Sequence, residues 1–345
     1  MIETTERFPE RFAGVEELDA FLSRPPPALV SALAGVDGDI LVLGVGGKMG
    51  PTLARLARRV APDRRVIGVA RFSEAGLQQV LTAHGIETIA ADLLDRDALQ
   101  RLPRARNVIF MAGRKFGASE DQPLTWAMNA MVPGLVAETF RDSRIVAFST
   151  GCVYPFVEVA SGGATESTPL TPPGEYANSC VGRERIFEHY SRMLRTPGRL
   201  FRLNYANDLR YGVLTDVALK VRDGVVVDVT MGHVNVIWQG DANACALGCL
   251  AHCTVPTSPL NVSGPETVSI RWLAHEFAAR LGRKAQLAGT ESPTAWLTNA
   301  AASARLFGYP SVSLAQMIDW TADWVASGLP TLGKPTHFEV RDGAY

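Results

Sequence analysis

The sequence predicts an α/β fold in which a parallel sheet carries helices on both faces. Short apolar runs alternate with helix-compatible segments over residues 39–205, and the first run leads into a glycine-rich turn followed at once by a helical segment. Apolar strands separated by helices are typical of parallel sheets that are covered on both sides. A doubly wound sheet of this kind binds its ligand at the carboxyl ends of the strands.

Residues 1–38 form a predicted N-terminal helical extension. An amphipathic pattern predicts a helix over 15–22, three prolines then interrupt the chain, and a second helix is predicted over 28–34. The extension carries no chemistry of its own, so we expect it to pack against the main domain.

The turn after the first strand predicts a phosphate-binding loop. Residues 40–50 read Ile-Leu-Val-Leu-Gly-Val-Gly-Gly-Lys-Met-Gly. Glycines let the backbone approach a pyrophosphate closely, and the dipole of the following helix favours its negative charge. A tight strand–helix turn without a ligand is the alternative interpretation. The predicted loop residues are Gly44, Gly47, Lys48, Met49 and Gly50.

The remaining elements follow the same alternation. Strands are predicted over 40–43, 66–70, 88–90, 108–111, 145–148 and 200–203. Helices are predicted over 51–60, 74–83, 96–101, 124–140 and 176–194. The pattern indicates a Rossmann-type dinucleotide-binding domain over 39–205, to which residues 233–262 are expected to return.

After residue 203 the alternation ends, which predicts a smaller α+β substrate lobe over 206–232 and 263–330. A valine-rich strand is expected around 225–229, a helix opens with Asp241 as its N-cap, and an amphipathic helix is expected over 270–281. The tail, 331–345, is polar and is expected to be extended.

The end of the second strand bears on the choice of cofactor. A carboxylate there would bind the ribose hydroxyls of NAD, but Ala70 holds that place and Arg71 follows, which suits a 2′-phosphate. The sequence therefore favours NADP, with Ser73 beside Arg71, and NAD is the alternative. Asp92 and Leu93, after the third strand, are placed to meet the adenine edge; the alternative is an ordinary helix cap at Asp92 or Asp95.

Later motifs resemble a known family. Residues 148–155 read Phe-Ser-Thr-Gly-Cys-Val-Tyr-Pro, Tyr176 begins a helix 26 residues after Thr150, and residues 306–309 read Leu-Phe-Gly-Tyr. Together with the glycine pattern, they resemble the extended short-chain dehydrogenase/reductase family, the NAD-dependent epimerase/dehydratase group, over residues 39–326. That group has Gly-x-x-Gly-x-x-Gly, Ser/Thr-x-x-Val-Tyr-Gly and Tyr-x-x-x-Lys at about this spacing.

The resemblance implies roles for several residues. Thr150 would hydrogen-bond the substrate oxygen, and Tyr176 would donate or accept the proton. Ala112, Gly113 and Lys115 resemble the Ala-Gly-x-Lys segment of the sugar-nucleotide epimerases, so Lys115 would reach the cofactor phosphates or the nicotinamide; a solvated surface lysine is the alternative. The resemblance also implies homodimers formed through the helices near 124–140 and 176–194.

The helix that begins at Tyr176 departs from the family pattern. The family has a lysine four residues after the tyrosine, where it lowers the tyrosine pKa electrostatically, and this chain has Cys180. Without the lysine, we expect the phenol of Tyr176 to stay near its ordinary pKa of about 10 and to act as a proton donor. Arg183 and Lys115 are candidate replacement cations. Cys180 is grouped with the catalytic residues, although such a cysteine is more often a packing residue.

The substrate pattern departs as well. Gly151 and Cys152 stand where sugar-nucleotide dehydratases carry an Asp-Glu pair, which argues against that elimination chemistry. In residues 234–241 a valine takes the place of an arginine that nucleotide-sugar members use, so a diphosphate clamp is missing there. His233 and Asn235 suit hydroxyls or a small carboxylate, although His233 could equally be a strand-edge histidine. The predicted substrate residues are Ser149, Cys152, Asn204, His233 and Asn235.

Composition excludes several other functions. The 345 residues are 47% hydrophobic and 20% charged with a net charge of −1, so neither nucleic acid nor a membrane surface is indicated as a partner. No apolar run approaches the roughly 18 residues of a membrane span. Five cysteines and an acidic, polar N-terminus favour a cytoplasmic protein. Cysteines at 245, 249 and 253 lack the spacing of a zinc knuckle, so no metal is predicted.

The sequence thus predicts an NAD(P)-dependent oxidoreductase of the extended short-chain type. Its expected substrate is a small, polyhydroxylated, carbohydrate-like alcohol or ketone, or a sugar acid. Two alternatives stay open: an epimerase or isomerase that oxidises its substrate transiently with tightly bound NAD(P), and a non-catalytic NAD(P)-binding sensor.

Overall fold

The computed structural model describes residues 8–115 and 117–343 of the chain. The first seven residues of the predicted N-terminal extension and the last two of the predicted tail lie outside this range. The described residues form fifteen strands: β1 (Ile40–Leu43), β2 (Val66–Ala70), β3 (Glu87–Ala90), β4 (Asn107–Phe110), β5 (Arg144–Thr150), β6 (Val157–Glu158), β7 (Gly198–Leu203), β8 (Ala206–Asn207), β9 (Val227–Asp228), β10 (His233–Val234), β11 (Ile237–Trp238), β12 (Ser258–Val262), β13 (Val268–Ser269), β14 (Leu287–Ala288) and β15 (Thr294–Ala295).

The same residues form thirteen α-helices. They are α1 (Val15–Leu22), α2 (Pro27–Ala34), α3 (Gly50–Val60), α4 (Leu77–Ala83), α5 (Arg96–Gln100), α6 (Gln122–Trp126), α7 (Val132–Thr139), α8 (Glu175–Leu194), α9 (Val213–Arg222), α10 (Gln239–Gly248), α11 (Ile270–Leu281), α12 (Ala301–Phe307) and α13 (Leu314–Ala326). A π-helical segment, Ala127–Met131, joins α6 to α7.

Seven strands form one parallel sheet in the order β12-β7-β5-β4-β1-β2-β3. From β1 the chain first builds outward through β2 and β3, then returns to the other side of β1 with β4 and continues to β12. This reversal makes the sheet doubly wound and opens a crevice at the carboxyl ends of β1 and β4. The predicted α/β fold class is confirmed.

The pattern of burial explains why these segments become strands. Every residue of β1 and of β4 is buried, because helices cover both faces of the sheet. One apolar cluster packs α3 and α10 on one face, and another packs α7 and α8 on the opposite face. The six strands predicted from apolar runs all occur, with bounds that differ by at most two residues.

Two predicted elements are shorter than expected. The helix predicted over 74–83 begins only at Leu77, because Gly76 before it has a left-handed backbone with φ of 85°. The strand predicted around 225–229 is limited to Val227–Asp228, because only these two residues pair with β14, and Val225 and Val226 are exposed.

A smaller α+β lobe covers the carboxyl end of the sheet. Its helices α9, α11 and α13 pack around a third apolar cluster, and four two-stranded pairings connect its loops. The polypeptide returns from the lobe to the sheet when α10 packs on α3 and β12 pairs with β7, and again when α12 packs on β12. No helix of the described residues is long and apolar enough to cross a membrane.

The N-terminal extension contacts both parts of the molecule. On one side, Arg59 of α3 donates hydrogen bonds to the carbonyls of Ala20 and Ser23, at 2.8 and 2.9 Å. On the other, Phe12 packs edge-on against Trp320 of the lobe, with ring centroids 5.1 Å apart. The extension therefore ties the sheet to the lobe.

Between the end of α13 and residue 343 there is no regular secondary structure, and residues 331–343 run along the lobe toward the cleft. We call this segment the tail. Its Thr336 donates from the amide and the hydroxyl to the Asp216 carboxylate, at 2.8 and 2.6 Å. Arg341 donates to the Thr294 carbonyl at 2.8 Å, and Phe338 is buried. The tail is therefore fastened along its length.

Candidate functional site

The glycine-rich loop after β1 is built from three glycines with different surroundings. Gly44 has φ of +91°, and a Cβ there would lie 2.6 Å from the amide nitrogen of Ala112. A Cβ on Gly50 would lie 2.2 Å from the carbonyl oxygen of Val45, so this glycine allows α3 to pack closely. Gly47 is exposed, and nothing lies closer than 3.5 Å to its Cβ position. Of the three, only Gly47 thus leaves open backbone for a ligand.

Helix α3 begins directly behind this loop, and its N-terminus has no side-chain cap. The first amides of a helix lack intrahelical partners and carry partial positive charge, so they suit a phosphate group. In α3 the amide of Gly50 already donates to the carbonyl of Gly47 at 3.0 Å and Pro51 has no N–H, so the helix dipole is what favours an anion at this end.

Two adjoining cavities lie along the carboxyl edge of the sheet. The outer cavity has a volume of about 500 Å³ and the inner cavity about 300 Å³. They share Gly44, Gly47 and Met111, so they form one continuous cleft past the phosphate loop. A dinucleotide has two halves joined at the pyrophosphate, and the cleft has the matching layout.

The outer cavity contains the residues predicted to contact the adenosine half. Arg71 and Ser73 lie at its rim beyond the end of β2, and both are exposed. Asp92, Leu93, Ala112 and Gly113 line it too. The carboxylate of Asp92 accepts a hydrogen bond from the amide of Leu94 at 3.0 Å, while the cap of α5 is Asp95. Asp92 therefore keeps the loop in place without capping the helix.

The inner cavity brings together the two residues predicted to act on the substrate. Thr150 ends β5, and Tyr176 lies in the first turn of α8; both line the cavity beside Lys48 and Lys115. The hydroxyl of Thr150 accepts a hydrogen bond from the amide of Cys152 at 3.1 Å, which fixes its rotamer. The spacing of 26 residues thus corresponds to a real juxtaposition.

The phenol of Tyr176 is held in an unusual environment. The residue is half-buried and hydrogen-bonded to the thiol of Cys180, and desolvation raises the pKa of its phenol well above the ordinary value, while the charge of Arg183 opposes the rise. The expectation of a nearly ordinary pKa was therefore wrong, because desolvation disfavours the phenolate. The raised pKa favours the neutral phenol, which suits a proton donor. Burial also raises the pKa of the Cys180 thiol.

Arg183 provides a buried positive charge on the same helix. Its guanidinium donates to the carbonyl of Phe148 at 2.9 Å and to Oδ1 of Asn129 at 2.7 Å. A Cβ on Gly113 would lie 2.5 Å from Nη2 of Arg183, so this loop glycine makes room for the guanidinium. Asn129 also donates to the hydroxyl of Ser179 at 2.9 Å. The sequence did not point to Asn129, which lies in the π-helical segment.

Two lysines face the inner cavity. The ammonium of Lys48 lies 3.2 Å from the ring centroid of Tyr211, so the side chain extends from the phosphate loop toward the lobe. Burial and the charges of Lys115 and Lys334 lower the pKa of Lys48 to about 7. Lys115 donates to the Thr336 carbonyl at 3.0 Å, and burial lowers its pKa as well. The interpretation of Lys115 as a solvated surface lysine was therefore wrong.

The predicted substrate residues divide into two groups. Ser149, Cys152 and Asn204 line the inner cavity; the Ser149 hydroxyl already donates to Glu184 at 2.5 Å. His233 and Asn235 line neither cavity, and both ends of the Asn235 amide are committed, to the carbonyl of Glu266 and the amide of Thr298. The resemblance to the family motif suggested His233 and Asn235 as substrate residues, but the pairing of β10 with β13 keeps them outside both cavities.

Several residues that line the inner cavity had not been singled out from the sequence: Tyr205, Tyr211, Gln239 and Thr336. Tyr205 lies two residues after the end of β7 and has a left-handed backbone with φ of 44°, a strained conformation for a residue with a side chain. Its position just beyond the carboxyl end of a parallel strand could have identified it from the sequence as a site residue. Thr336 gave none, because a tail has no periodic pattern.

The cysteines of α10 and the turn after it serve packing. Cys249 is fully buried, and burial raises the pKa of Cys245 and of Cys253 to about 12. These thiols are therefore protonated at physiological pH. Within residues 8–115 and 117–343, no group of three or more potential metal ligands comes together.

Comparisons with known proteins were made at the levels of sequence and structure. No family model matches the sequence, and no curated protein sequence matches it. Solved structures do match. UDP-glucose 4-epimerase of Thermus thermophilus, in complex with NAD, is 19% identical with a TM-score of 0.69, and the match covers 83% of this chain and 98% of that chain.

Two further structures give similar values. UDP-glucose 4-epimerase of Thermotoga maritima, solved with UDP-glucose, is 15% identical with a TM-score of 0.71, covering 84% of this chain and 99% of that one. A dTDP-glucose 4,6-dehydratase of Streptomyces venezuelae, solved with NAD, is 20% identical with a TM-score of 0.71, covering 84% and 97%. At these identities the comparisons show a shared fold, the one that the motif resemblance implied.

Proposed function

We propose that this chain is an NAD(P)-dependent oxidoreductase or epimerase of the extended short-chain type, acting on a carbohydrate-like substrate. One observation carries the proposal: Gly47 of the phosphate loop, Thr150 and Tyr176 line the same cavity at the carboxyl edge of the sheet. A phosphate loop, a hydroxyl that can orient an oxygen and a neutral phenol are the groups that carbonyl reduction requires.

The residues of the cleft fit a nicotinamide dinucleotide. Gly47 and the N-terminus of α3 would bind the pyrophosphate, the outer cavity would take the adenosine, and the inner cavity would take the nicotinamide. When bound, such a cofactor exchanges hydride with a carbon of the substrate.

We further propose NADP as the cofactor, with NAD as the alternative. Arg71 and Ser73 at the outer rim favour a 2′-phosphate. The carboxylates of Glu74 and Asp92 line the same cavity and would repel a 2′-phosphate, which favours NAD. Two of the structural neighbours were solved with NAD. Replacing Arg71 by Ala tests the choice: isothermal titration calorimetry should show NADP affinity falling at least about tenfold, with NAD affinity unchanged. Equal losses for both cofactors would contradict the assignment.

Within the inner cavity, the chain's own residues handle the proton. The hydroxyl of Thr150 would hydrogen-bond the substrate oxygen, and the phenol of Tyr176 would give it a proton as negative charge develops there. The buried Arg183 favours this step, because its charge stabilises the phenolate that remains. The reverse direction would return the proton to the phenolate.

The proposed substrate is a sugar or sugar acid, and dehydration is not proposed. Gly151 and Cys152 lie where an Asp-Glu pair would be needed for elimination, and the Cys152 side chain faces the inner cavity. Solved structures of this fold were determined with sugar nucleotides, which supports a carbohydrate-like ligand.

The central test is the Tyr176→Phe variant. It should bind NADP or NAD with unchanged affinity, measured by fluorescence quenching, and lose at least about a hundredfold in turnover on any sugar that the wild type converts. Tyr309→Phe, at an exposed tyrosine outside both cavities, is the matched control. Undiminished turnover in Tyr176→Phe would refute the assignment of this site.

The same assay separates the three functions. Net appearance or loss of absorbance in the NADPH band during turnover indicates an oxidoreductase, whereas product formation without such a change indicates an epimerase. Cofactor binding without conversion of any sugar in a panel of aldoses, ketoses and sugar acids would favour the non-catalytic sensor. The absence of the motif lysine is the reason for considering that alternative.

We also propose a homodimer formed through α6, α7 and α8. Large apolar side chains on these helices and the π-helical segment, those of Trp126, Met131 and Met193, are exposed in the single chain. Exposed apolar groups on neighbouring helices are typical of subunit interfaces. The double variant Met131→Glu, Met193→Glu should sediment as a monomer, and a wild-type monomer would refute the proposal.

A further inference from the structure

We infer that the inner cavity recognises a substrate that carries an acidic group, and that Lys48 and Lys115 bind this group. The inference rests on the proposed function, because it assigns the substrate class of the same site. The motif resemblance directs both side chains toward the cofactor, and the inference assigns them to a group of the substrate instead.

The two lysines reach the cavity from different loops. Lys48 belongs to the loop between β1 and α3, and its ammonium lies over the ring of Tyr211, at 3.2 Å from the centroid. A lysine in a solvent-exposed turn would extend into water; here the side chain turns across the cleft toward the lobe. Lys115 follows β4, and Thr336 of the tail holds its ammonium from the opposite side at 3.0 Å.

The charge in the cavity is unbalanced. The described residues that line it include both lysines and no aspartate or glutamate. The carboxylates whose charge acts on Lys115 are Asp216 and Glu339, and Asp216 acts on Lys48 as well, but neither carboxylate lines the cavity. Asp216 accepts two hydrogen bonds from Thr336, and Glu339 pairs with Lys220 at 3.1 Å.

Two ammonium groups that face one partly desolvated cavity repel each other, and the repulsion is relieved when an anion lies between them. A carboxylate or phosphate can accept charge-assisted hydrogen bonds from both, while the aromatic ring of Tyr211 keeps Lys48 in position. The cavity therefore favours an anionic ligand over a neutral one of the same shape.

The volume of the inner cavity limits which acidic substrates it can hold. At about 300 Å³, and with the nicotinamide end of a cofactor in the same space, the inner cavity leaves room for a small molecule. Thr150, Asn204 and Gln239 provide polar groups for hydroxyls. A monosaccharide acid or a sugar phosphate combines these features. The cofactor's own pyrophosphate is the other source of negative charge, and the experiment must separate the two.

The experiment compares D-glucuronate with D-glucose, which share a ring and differ at the acidic group. Calorimetric titrations into protein saturated with NADP should show that the wild type binds glucuronate at least about tenfold more tightly than glucose. Lys48→Met and Lys115→Met should each reduce glucuronate binding to the level of glucose. Lys284→Met, at an exposed lysine of the lobe that lines neither cavity, should keep the preference.

Several results would overturn the inference. The inference is wrong if the wild type binds glucuronate and glucose equally well. It is also wrong if Lys48→Met and Lys115→Met keep the full preference for glucuronate. If Lys48→Met and Lys115→Met instead lose NADP affinity by about tenfold with the preference intact, the lysines serve the cofactor pyrophosphate. Lys115→Arg, which keeps the charge, should retain the preference and excludes misfolding as the cause.

Failure of the anion-site inference can be distinguished from failure of the proposed function. If the wild type binds no NADP or NAD, the proposed function fails, and the titrations are repeated on protein without cofactor. A glucuronate preference that depends on both lysines then still supports the anion site, and its absence refutes it. If cofactor binds and Tyr176→Phe abolishes turnover while glucuronate shows no preference, only the anion site is wrong.

Discussion

Glu184 and Arg202 form a buried ion pair directly behind the site. Nη2 of Arg202 lies 2.6 Å from Oε2 of Glu184, and both side chains are at most 5% exposed. Ser149 donates to Glu184, and Arg202 also donates to the hydroxyl of Tyr154 at 2.6 Å. The network links the end of β5 to α8, so it holds Thr150 and Tyr176 at a fixed separation.

Breaking this pair should be costly. Glu184→Gln leaves the Arg202 charge buried without its counter-charge, and we expect a loss of about 3–5 kcal/mol in the free energy of unfolding. Glu188→Gln is the matched control on the same helix, because Glu188 pairs with two exposed arginines and its loss should cost under about 1 kcal/mol. Urea denaturation of both variants measures the difference; equal losses would show that the pair is not effectively buried.

Lys48 predicts a pH dependence. Its pKa is lowered to about 7 by burial and by Lys115 and Lys334, and Asp216 opposes the shift. An ammonium is charged below its pKa and neutral above it, so attraction for an acidic ligand weakens as the pH rises through about 7. Binding of glucuronate, which stays ionised, should weaken between about pH 6 and pH 8.5. Lys48→Met should flatten this dependence, and calorimetry at several pH values would detect it; an unchanged slope would contradict the role of Lys48.

At the scale of elements, the local sequence pattern predicted the bounds of strands and helices correctly where burial is uniform along the element. The strand Ile40–Leu43 was predicted with its observed bounds because four apolar residues precede the glycine turn, and the helix Ile270–Leu281 because its apolar residues recur with a helical period. The π-helical segment Ala127–Met131 was not predictable, since its residues suit an ordinary helix. It places Asn129 against Arg183, and only tertiary contacts determine that register.

The N-terminal extension, which contains Phe12 and α1, illustrates how one segment can stabilise two parts of the molecule at once. Phe12 is buried against Phe21 and Trp320, and Arg59 of α3 binds the end of α1. We expect Phe12→Ala to lower the free energy of unfolding by about 3–5 kcal/mol, because a large buried ring is lost and leaves a cavity. Phe12→Leu, which keeps most of the volume, should cost under about 1.5 kcal/mol. Thermal and urea unfolding test both, and an equally mild Phe12→Ala would mean that α1 packs loosely.

At the scale of the whole molecule, the sequence predicted the sheet, the position of the cleft and a smaller lobe beside it, but not that the tail lines the cleft. The carboxyl ends of β1, β2 and β5 follow from strand order, so Gly44, Arg71 and Thr150 could be assigned to one edge. The lining by Thr336 and Lys334 could not, because these contacts join residues far apart in the chain and no local pattern records them.

The tail's attachment at Asp216 can be tested without measuring activity. Thr336→Ala removes the hydroxyl that donates to the carboxylate, and a hydrogen bond to a charged group contributes about 1.5–3 kcal/mol. We expect amide hydrogen exchange over residues 334–341 to become at least about tenfold faster, with the sheet unaffected. Thr336→Ser keeps the hydroxyl and should exchange as the wild type does; faster exchange in both variants would show that the methyl group, not the hydroxyl, fastens the tail.

The position of the tail in the chain has a consequence for biosynthesis. The ribosome makes the polypeptide from its N-terminal end, so the sheet, the lobe, Thr150 and Tyr176 exist before residues 334–336 are joined to them. Until then the inner cavity lacks the carbonyl that holds Lys115, and Asp216 lacks its two donors. A nascent chain therefore contains Thr150 and Tyr176 before it contains the residues that complete the cavity, and the cavity can be completed only once residues 334–336 have been translated.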